Sequence, residues 1–75
     1  MKVTVVTGSW ARRYVHQELT ELILPEGASI GHALDLLGIP DEEAGLTVIN
    51  NKASLRQTQL QEGDCIKVYP VIVGG

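Results

Sequence analysis

The sequence predicts an α+β roll, a mixed sheet covered on one face by a single short helix. Three observations predict it. Alternating or β-branched runs stand at both ends of the chain, at residues 2–7 and 65–69. One stretch, residues 30–37, carries apolar side chains at helical spacing. The order is strand, strand, helix, strand, irregular segment, strand. One helix must then cover the sheet, and the two end strands are expected to lie side by side.

The first strand is Lys2-Val3-Thr4-Val5-Val6-Thr7, with Val3 and Val5 on one face. Gly8-Ser9 breaks it. Residues 10–14 form a mixed connector. Its Trp10 is expected to cap the core, the usual place of a lone Trp, with an exposed contact role as the alternative. Arg12 and Arg13 read as a solvated loop, with an acidic partner surface as the alternative. The second strand spans 15–24. Leu22-Ile23-Leu24 is expected to be its buried end, and Pro25 stops it.

Pro25-Glu26-Gly27 is a turn, and Ser29 an N-cap for the helix. Ile30, Leu34 and Leu37 make the apolar stripe, with Ala33 alongside. Gly38 suits the left-handed residue after the last turn, and Pro40 prevents continuation. Gly31 costs the helix up to about 1 kcal/mol relative to Ala, so packing must hold it. His32 falls on the polar side and reads as solvated, with no acid or thiol near it at metal-ligand spacing. Asp41-Glu42-Glu43 reads as a solvated acidic loop. The third strand is Leu46-Thr47-Val48-Ile49, ended by Asn50-Asn51. Residues 52–61 are polar with isolated Leu55 and Leu60, and their pattern leaves a short strand and a helical turn both open. Glu62-Gly63-Asp64 is the next turn. In the last strand Ile66 and Val68 share one face, and Lys67 and Tyr69 the other.

The chain of 75 residues makes one domain, expected to run from 1 to 70 with a flexible tail at 71–75. A domain this small buries only about 60% of its unfolded surface and leaves little room for an enclosed active site. The core must be aliphatic, because Phe is absent. A net charge of −3 with scattered basic residues argues against nucleic acid and anionic membrane as partners. A single cysteine excludes an internal disulfide and fits a reducing, cytoplasmic setting. No signal peptide or membrane-spanning run is read in the sequence. Cys65 reads as a structural strand residue, since no neighbouring base or helix N-terminus is apparent to activate a thiol there. His32, Cys65 and the acidic cluster sit in separate segments, so no catalytic set and no metal site is expected; the chain is not read as an enzyme.

The tail is the informative end. Val71-Ile72-Val73 precedes Gly74-Gly75, where a frayed terminus would carry polar residues. Gly75 is expected to be the natural terminus. A side-chain-free end can thread a narrow channel with nothing crowding its carbonyl carbon. From Pro70 to Gly75 an extended tail reaches roughly 17 Å. The sheet face away from the helix, with Tyr69, Val71, Val73 and the neighbouring Thr4 and Val6, is the candidate partner interface. The alternative is that Tyr69 and Val71 only cover the sheet.

Read in this order, the chain resembles the ubiquitin-like β-grasp sulfur carriers, the molybdopterin synthase small subunit and the thiamine-biosynthesis carrier (the MoaD/ThiS family). The likeness covers nearly the whole length. It rests on Leu24-Pro25-Glu26-Gly27-Ala28-Ser29-Ile30, with Ser29 where the family usually has Thr, and on Val48-Ile49-Asn50-Asn51-Lys52, where Val-Asn-Gly is usual. Leu60, Gly63-Asp64, Ile66, Val68, Pro70 and Gly74-Gly75 complete it. Asn51 in place of Gly is a departure that still tolerates φ > 0.

The resemblance implies a β-grasp roll of four to five strands. It implies a protein substrate whose Gly75 is adenylated by a ubiquitin-activating-type enzyme using ATP and Mg²⁺, then thiocarboxylated by a sulfur donor. Gly74 and Val73 would enter the partner with it. A synthase large subunit or equivalent acceptor would take the sulfur, and this chain itself would bind no cofactor. The long first hairpin, residues 8–18, looks more like the molybdopterin or tungstopterin type than the thiamine carrier. A ubiquitin-like modifier conjugated through Gly75, and an interaction module with an inert tail, are the competing readings.

Overall fold

Five strands and one helix make up the fold of the computed structural model, which describes residues 1–72. The strands are β1 (Lys2–Val6), β2 (Leu19–Ile23), β3 (Ala44–Ile49), β4 (Lys52–Ser54) and β5 (Cys65–Pro70); the helix is α1 (Ile30–Leu37). The sheet order is β2-β1-β5-β3-β4. β1 and β5 lie side by side, as expected of the two end strands; their pairing is parallel, and every other pairing is antiparallel. This is the mixed-sheet α+β roll of the β-grasp fold.

Period 2 divides the sheet. Val3 and Val5 of β1 and Ile66 and Val68 of β5 are buried, and with Leu24, Ile30, Ala33, Leu34, Ile39 and Leu60 they form the core between sheet and helix. Trp10, Tyr14, Leu22 and Leu37 are half-buried and pack against it, so Trp10 does cap the core.

α1 is specified locally at both ends. The Ser29 hydroxyl accepts the His32 N–H. At the other end Gly38 is left-handed at φ 76°, its N–H donates to Asp35 O, and the Ile39 N–H reaches Leu34 O. Those two bonds are a Schellman cap, with buried Ile39 closing it.

Residues 52–61, where the pattern left two options, contain β4 and then a turn that serves the helix. Arg56 O and Thr58 O accept the N–H groups of Gly31 and Ile30, two donors that the first turn leaves without partners. The Arg56 side chain lies over Gly31, where a Cβ would meet it at 2.7 Å. Its guanidinium pairs with both oxygens of Asp35 at 3.0 Å and with Asp41. Gly31 is therefore the helix residue that lets this arm pass. The pairs are largely exposed, so Arg56→Ala should cost only up to about 1 kcal/mol, read as a small drop in urea midpoint. A larger loss would mean that the stem packing over Gly31 contributes substantially.

Four expectations need correction. β2 begins at Leu19, not Val15. Residues 8–18 hold a 3-10 turn at Ser9–Ala11 whose Ala11 and Val15 are buried, and the loop closes through Thr7 N–H to Glu18 O. Ile23 is not buried but 76% exposed, because β2 is an edge strand that alternates. β3 begins at Ala44, two residues early, with an irregularity in its pairing to β5 between Ala44 and Leu46. Asp41-Glu42-Glu43 is not simply a solvated run, because Asp41 pairs with Arg56 and Glu43 with Tyr14.

At the β3–β4 hairpin Asn50 and Asn51 both have positive φ, 50° and 70°. A two-residue loop of that hand matches the strand twist, and Asn tolerates it as Gly would.

Candidate functional site

The outer face of the sheet is built by the same alternation that fills the core. Register places Val6 of β1 opposite Leu19 of β2 and beside Lys67 of β5. Lys67 lies opposite Val48 of β3, and Tyr69 opposite Leu46. Leu19, Val6, Tyr69, Leu46 and Val48 thus share the face away from α1, clustered toward the C-terminal end of β5. Tyr69 and Leu46 are each 46% exposed and Leu19 55%, while Val6 and Val48 are half-buried. An apolar cluster of this kind on one face of a small domain is characteristic of a docking surface. Lys67 stands at its centre, exposed and without an ion pair among the described residues. Thr4 lies further along the same face and is half-buried.

β5 carries this face directly into the tail. Val71 and Ile72 are exposed beyond Pro70. Val73, Gly74 and Gly75, the expected business end, lie outside the described residues. The expected tail boundary at 71 meets a tether: the Val71 N–H donates to Glu43 O at 3.1 Å. Around this root two connectors converge. The Tyr14 hydroxyl donates to the Glu43 carboxylate. That hydrogen bond, with a smaller contribution from burial, raises the Tyr14 pKa above its ordinary value. Trp10, Glu42, Glu43, Pro70 and Val71 ring one shallow hollow. At Gly45 a Cβ would stand 2.8 Å from Pro70 O and from the Val71 backbone.

Of the residues expected at a partner interface, Tyr69 and Val6 lie on this outer face and Val71 is exposed just beyond β5. Sequence reasoning did not include Leu19 and Leu46, which the register of antiparallel pairs places beside them, nor Gly45, whose close contact is 25 residues away in the chain.

The residues weighed for chemistry do not come together. His32 is exposed on the helix, and Cys65 is half-buried in a central strand. Among the described residues no group of three or more His, Cys, Asp or Glu could hold a metal ion. A surface hollow of about 450 Å³ lies between α1 and the β3–β4 hairpin. It is lined mainly by apolar residues such as Ile30, Leu34 and Leu55, and its two charges, Asp41 and Arg56, neutralise each other. No helix among the described residues is long and apolar enough to cross a membrane.

Residues 11–73 match the family model described as Mut7-C ubiquitin. Among solved structures, the chain resembles Haloferax volcanii HVO 2177, with a TM-score of 0.80 and 21% identity, covering 100% of this chain and 87% of that one. Small archaeal modifier protein 1 (SAMP1) of Haloferax volcanii gives a TM-score of 0.78 at 16% identity over 100% of both chains. A protein named as molybdopterin converting factor, subunit 1, from Pyrococcus furiosus gives 0.74 at 20% identity, covering 95% of this chain and 98% of that one. At these identities the likeness speaks for the fold. No curated protein matches the chain.

Proposed function

The chain belongs to the Mut7-C ubiquitin family, and from that premise we propose that it is a small carrier activated by adenylation at Gly75 and then thiocarboxylated there. The observation that carries this reading is continuity. An exposed apolar face runs along β5 toward Val71, and the sequence beyond it carries two consecutive residues without side chains, Gly74-Gly75. A partner that grips Tyr69, Leu46 and Leu19 then receives a tail without side chains at its tip. The names of two structural relatives, a converting-factor subunit and a modifier protein, support a carrier or modifier role.

The chemistry follows from the electrophile. A carboxylate resists attack because its charge is delocalised and oxide leaves badly. In the partner's site a Gly75 oxygen attacks the α-phosphorus of ATP, and pyrophosphate leaves with Mg²⁺ screening its charge. The resulting acyl-adenylate has AMP as a leaving group. A sulfur nucleophile at the hydrosulfide level adds to the acyl carbon and expels AMP, so sulfur replaces oxygen with no change of redox state. This chain is the substrate of both steps and the partners are the enzymes. The sulfur goes to an acceptor enzyme, molybdopterin or tungstopterin synthesis first and thiamine synthesis next. We place these steps in the cytoplasm, where a lone thiol such as Cys65 stays reduced.

A second reading has one observation in its favour. The family match stops at residue 73, so Gly74-Gly75 lies outside it. An interaction module with an inert tail would use the same apolar face and no adenylation.

Incubation with Mg-ATP and the ubiquitin-activating-type enzyme of the same cell, followed by intact-mass measurement, tests the proposal. An AMP adduct on the wild-type chain is expected. Tyr69→Ala should raise the KM for its formation at least about tenfold, the equivalent of roughly 1.4 kcal/mol for loss of an aromatic anchor. No adduct on the wild-type chain would leave the interaction module as the reading.

A further inference from the structure

We infer that Tyr14, Glu43 and Gly45 are positioning residues that fix the direction in which the tail leaves the domain. This rests on the adenylation reading above and adds to it a device for aiming Gly75.

Two contacts meet the peptide between Pro70 and Val71, and another steadies the connector that makes one of them. The first is the hydrogen bond from the Val71 N–H to Glu43 O. It ties the tail root to the connector between α1 and β3. The second holds that connector in place. The Glu43 carboxylate accepts the Tyr14 hydroxyl, and Tyr14 is anchored in turn, packing against the core with its N–H on Ala11 O. The third is the close passage at Gly45. Its φ is not among the positive ones, so its backbone does not demand glycine. The demand comes from the space, since a Cβ would lie 2.8 Å from Pro70 O and from Val71 N and Cα. Those are backbone atoms, which cannot swing aside as a flexible side chain would.

The hydroxyl–carboxylate contact also stabilises the fold, since a hydrogen bond to a charged group is stronger than one between neutral groups. Its geometric effect is separate and falls on the tail root. Among the described residues Val71 is the last with a backbone hydrogen bond to the domain, and a partner already gripping the sheet face receives the tail in the direction that this root gives it. Misplacement of a reacting group by about 1 Å can cost on the order of 100-fold in rate. A changed root should therefore lower kcat. The docking face at Tyr69, Leu46 and Leu19 is untouched, so KM should hold.

The test compares wild type, Gly45→Ala, Tyr14→Phe, Glu43→Ala and Glu43→Gln. Two quantities are measured: the Val71 amide hydrogen-exchange rate by NMR, and kcat and KM for AMP-adduct formation by the adenylating enzyme of the same cell. Gly45→Ala should lower kcat about tenfold to a hundredfold with KM within about twofold. Tyr14→Phe and Glu43→Ala should speed Val71 exchange about fivefold, as expected for one weakened hydrogen bond. Glu43→Gln keeps an oxygen for the Tyr14 hydroxyl and should restore wild-type exchange and kcat.

Wild-type kcat in Gly45→Ala, or a loss that only tracks the fraction unfolded, overturns the inference and leaves the adenylation reading standing. If the wild-type chain forms no adduct, that reading falls, and the exchange data decide alone. Unchanged Val71 exchange in all four variants overturns the tether, whereas faster exchange rescued by Glu43→Gln sustains it.

Discussion

A chain ending at Val73 should take up neither AMP nor sulfur, while folding as the full chain does. The loss of Gly74-Gly75 shortens the tail by about 7 Å. It also sets a β-branched side chain beside the acyl carbon, which on the proposed reading crowds the atom to be activated. Among the described residues the sheet ends at Pro70, the root contact is at Val71, and every core residue precedes them. Intact mass after incubation with Mg-ATP, the activating enzyme and a sulfur source reads the chemistry, and the urea midpoint reads the fold. Adduct formation by the shortened chain at the wild-type rate would make the two glycines dispensable and would favour the interaction module.

The largest stability effect should come from Ile66→Ala, a loss of about 2–5 kcal/mol. Ile66 is 1% exposed on the central strand, and its register partners are Val5 and Ile49. Truncation there opens a cavity between two strands and the helix that neither neighbour can fill without breaking its own pairing. A domain of this size holds roughly 5–10 kcal/mol in all, so the variant should be marginal at 37 °C. Lys67→Ala, one residue along and facing outward, should shift the midpoint little. Equal effects at the two positions would contradict the assignment of β5's faces.

Much of this was legible because it is local. Ser29, the apolar spacing and Gly38 specify α1 within ten residues, and the structure places the helix at the residues the sequence indicates. The turn at Gly63 and the alternation of Cys65 to Tyr69 specify β5 in the same way. The element order suggested that the two end strands lie side by side, but their parallel direction is shown only by the structure. What was not legible is non-local. The backbone carbonyls of Arg56 and Thr58 cap α1 from 25 or more residues away, and a carbonyl leaves no mark in sequence. Gly45 looks like any turn glycine until β5 passes over it. Ile23 was read with its apolar neighbours as a buried run, but an edge strand keeps period 2 even where three apolar residues stand together. In the outer face, Tyr69 and Val6 could be inferred strand by strand. Leu19 and Leu46 required the register.

The most direct test of the carrier account is the intact mass of this chain after incubation with the activating enzyme, Mg-ATP and a sulfur source, with fragmentation to locate the change. The account predicts a gain equal to the replacement of one oxygen by sulfur, confined to Gly75. An unchanged mass, or a Gly75 found joined to a lysine of another protein in place of sulfur, would contradict it.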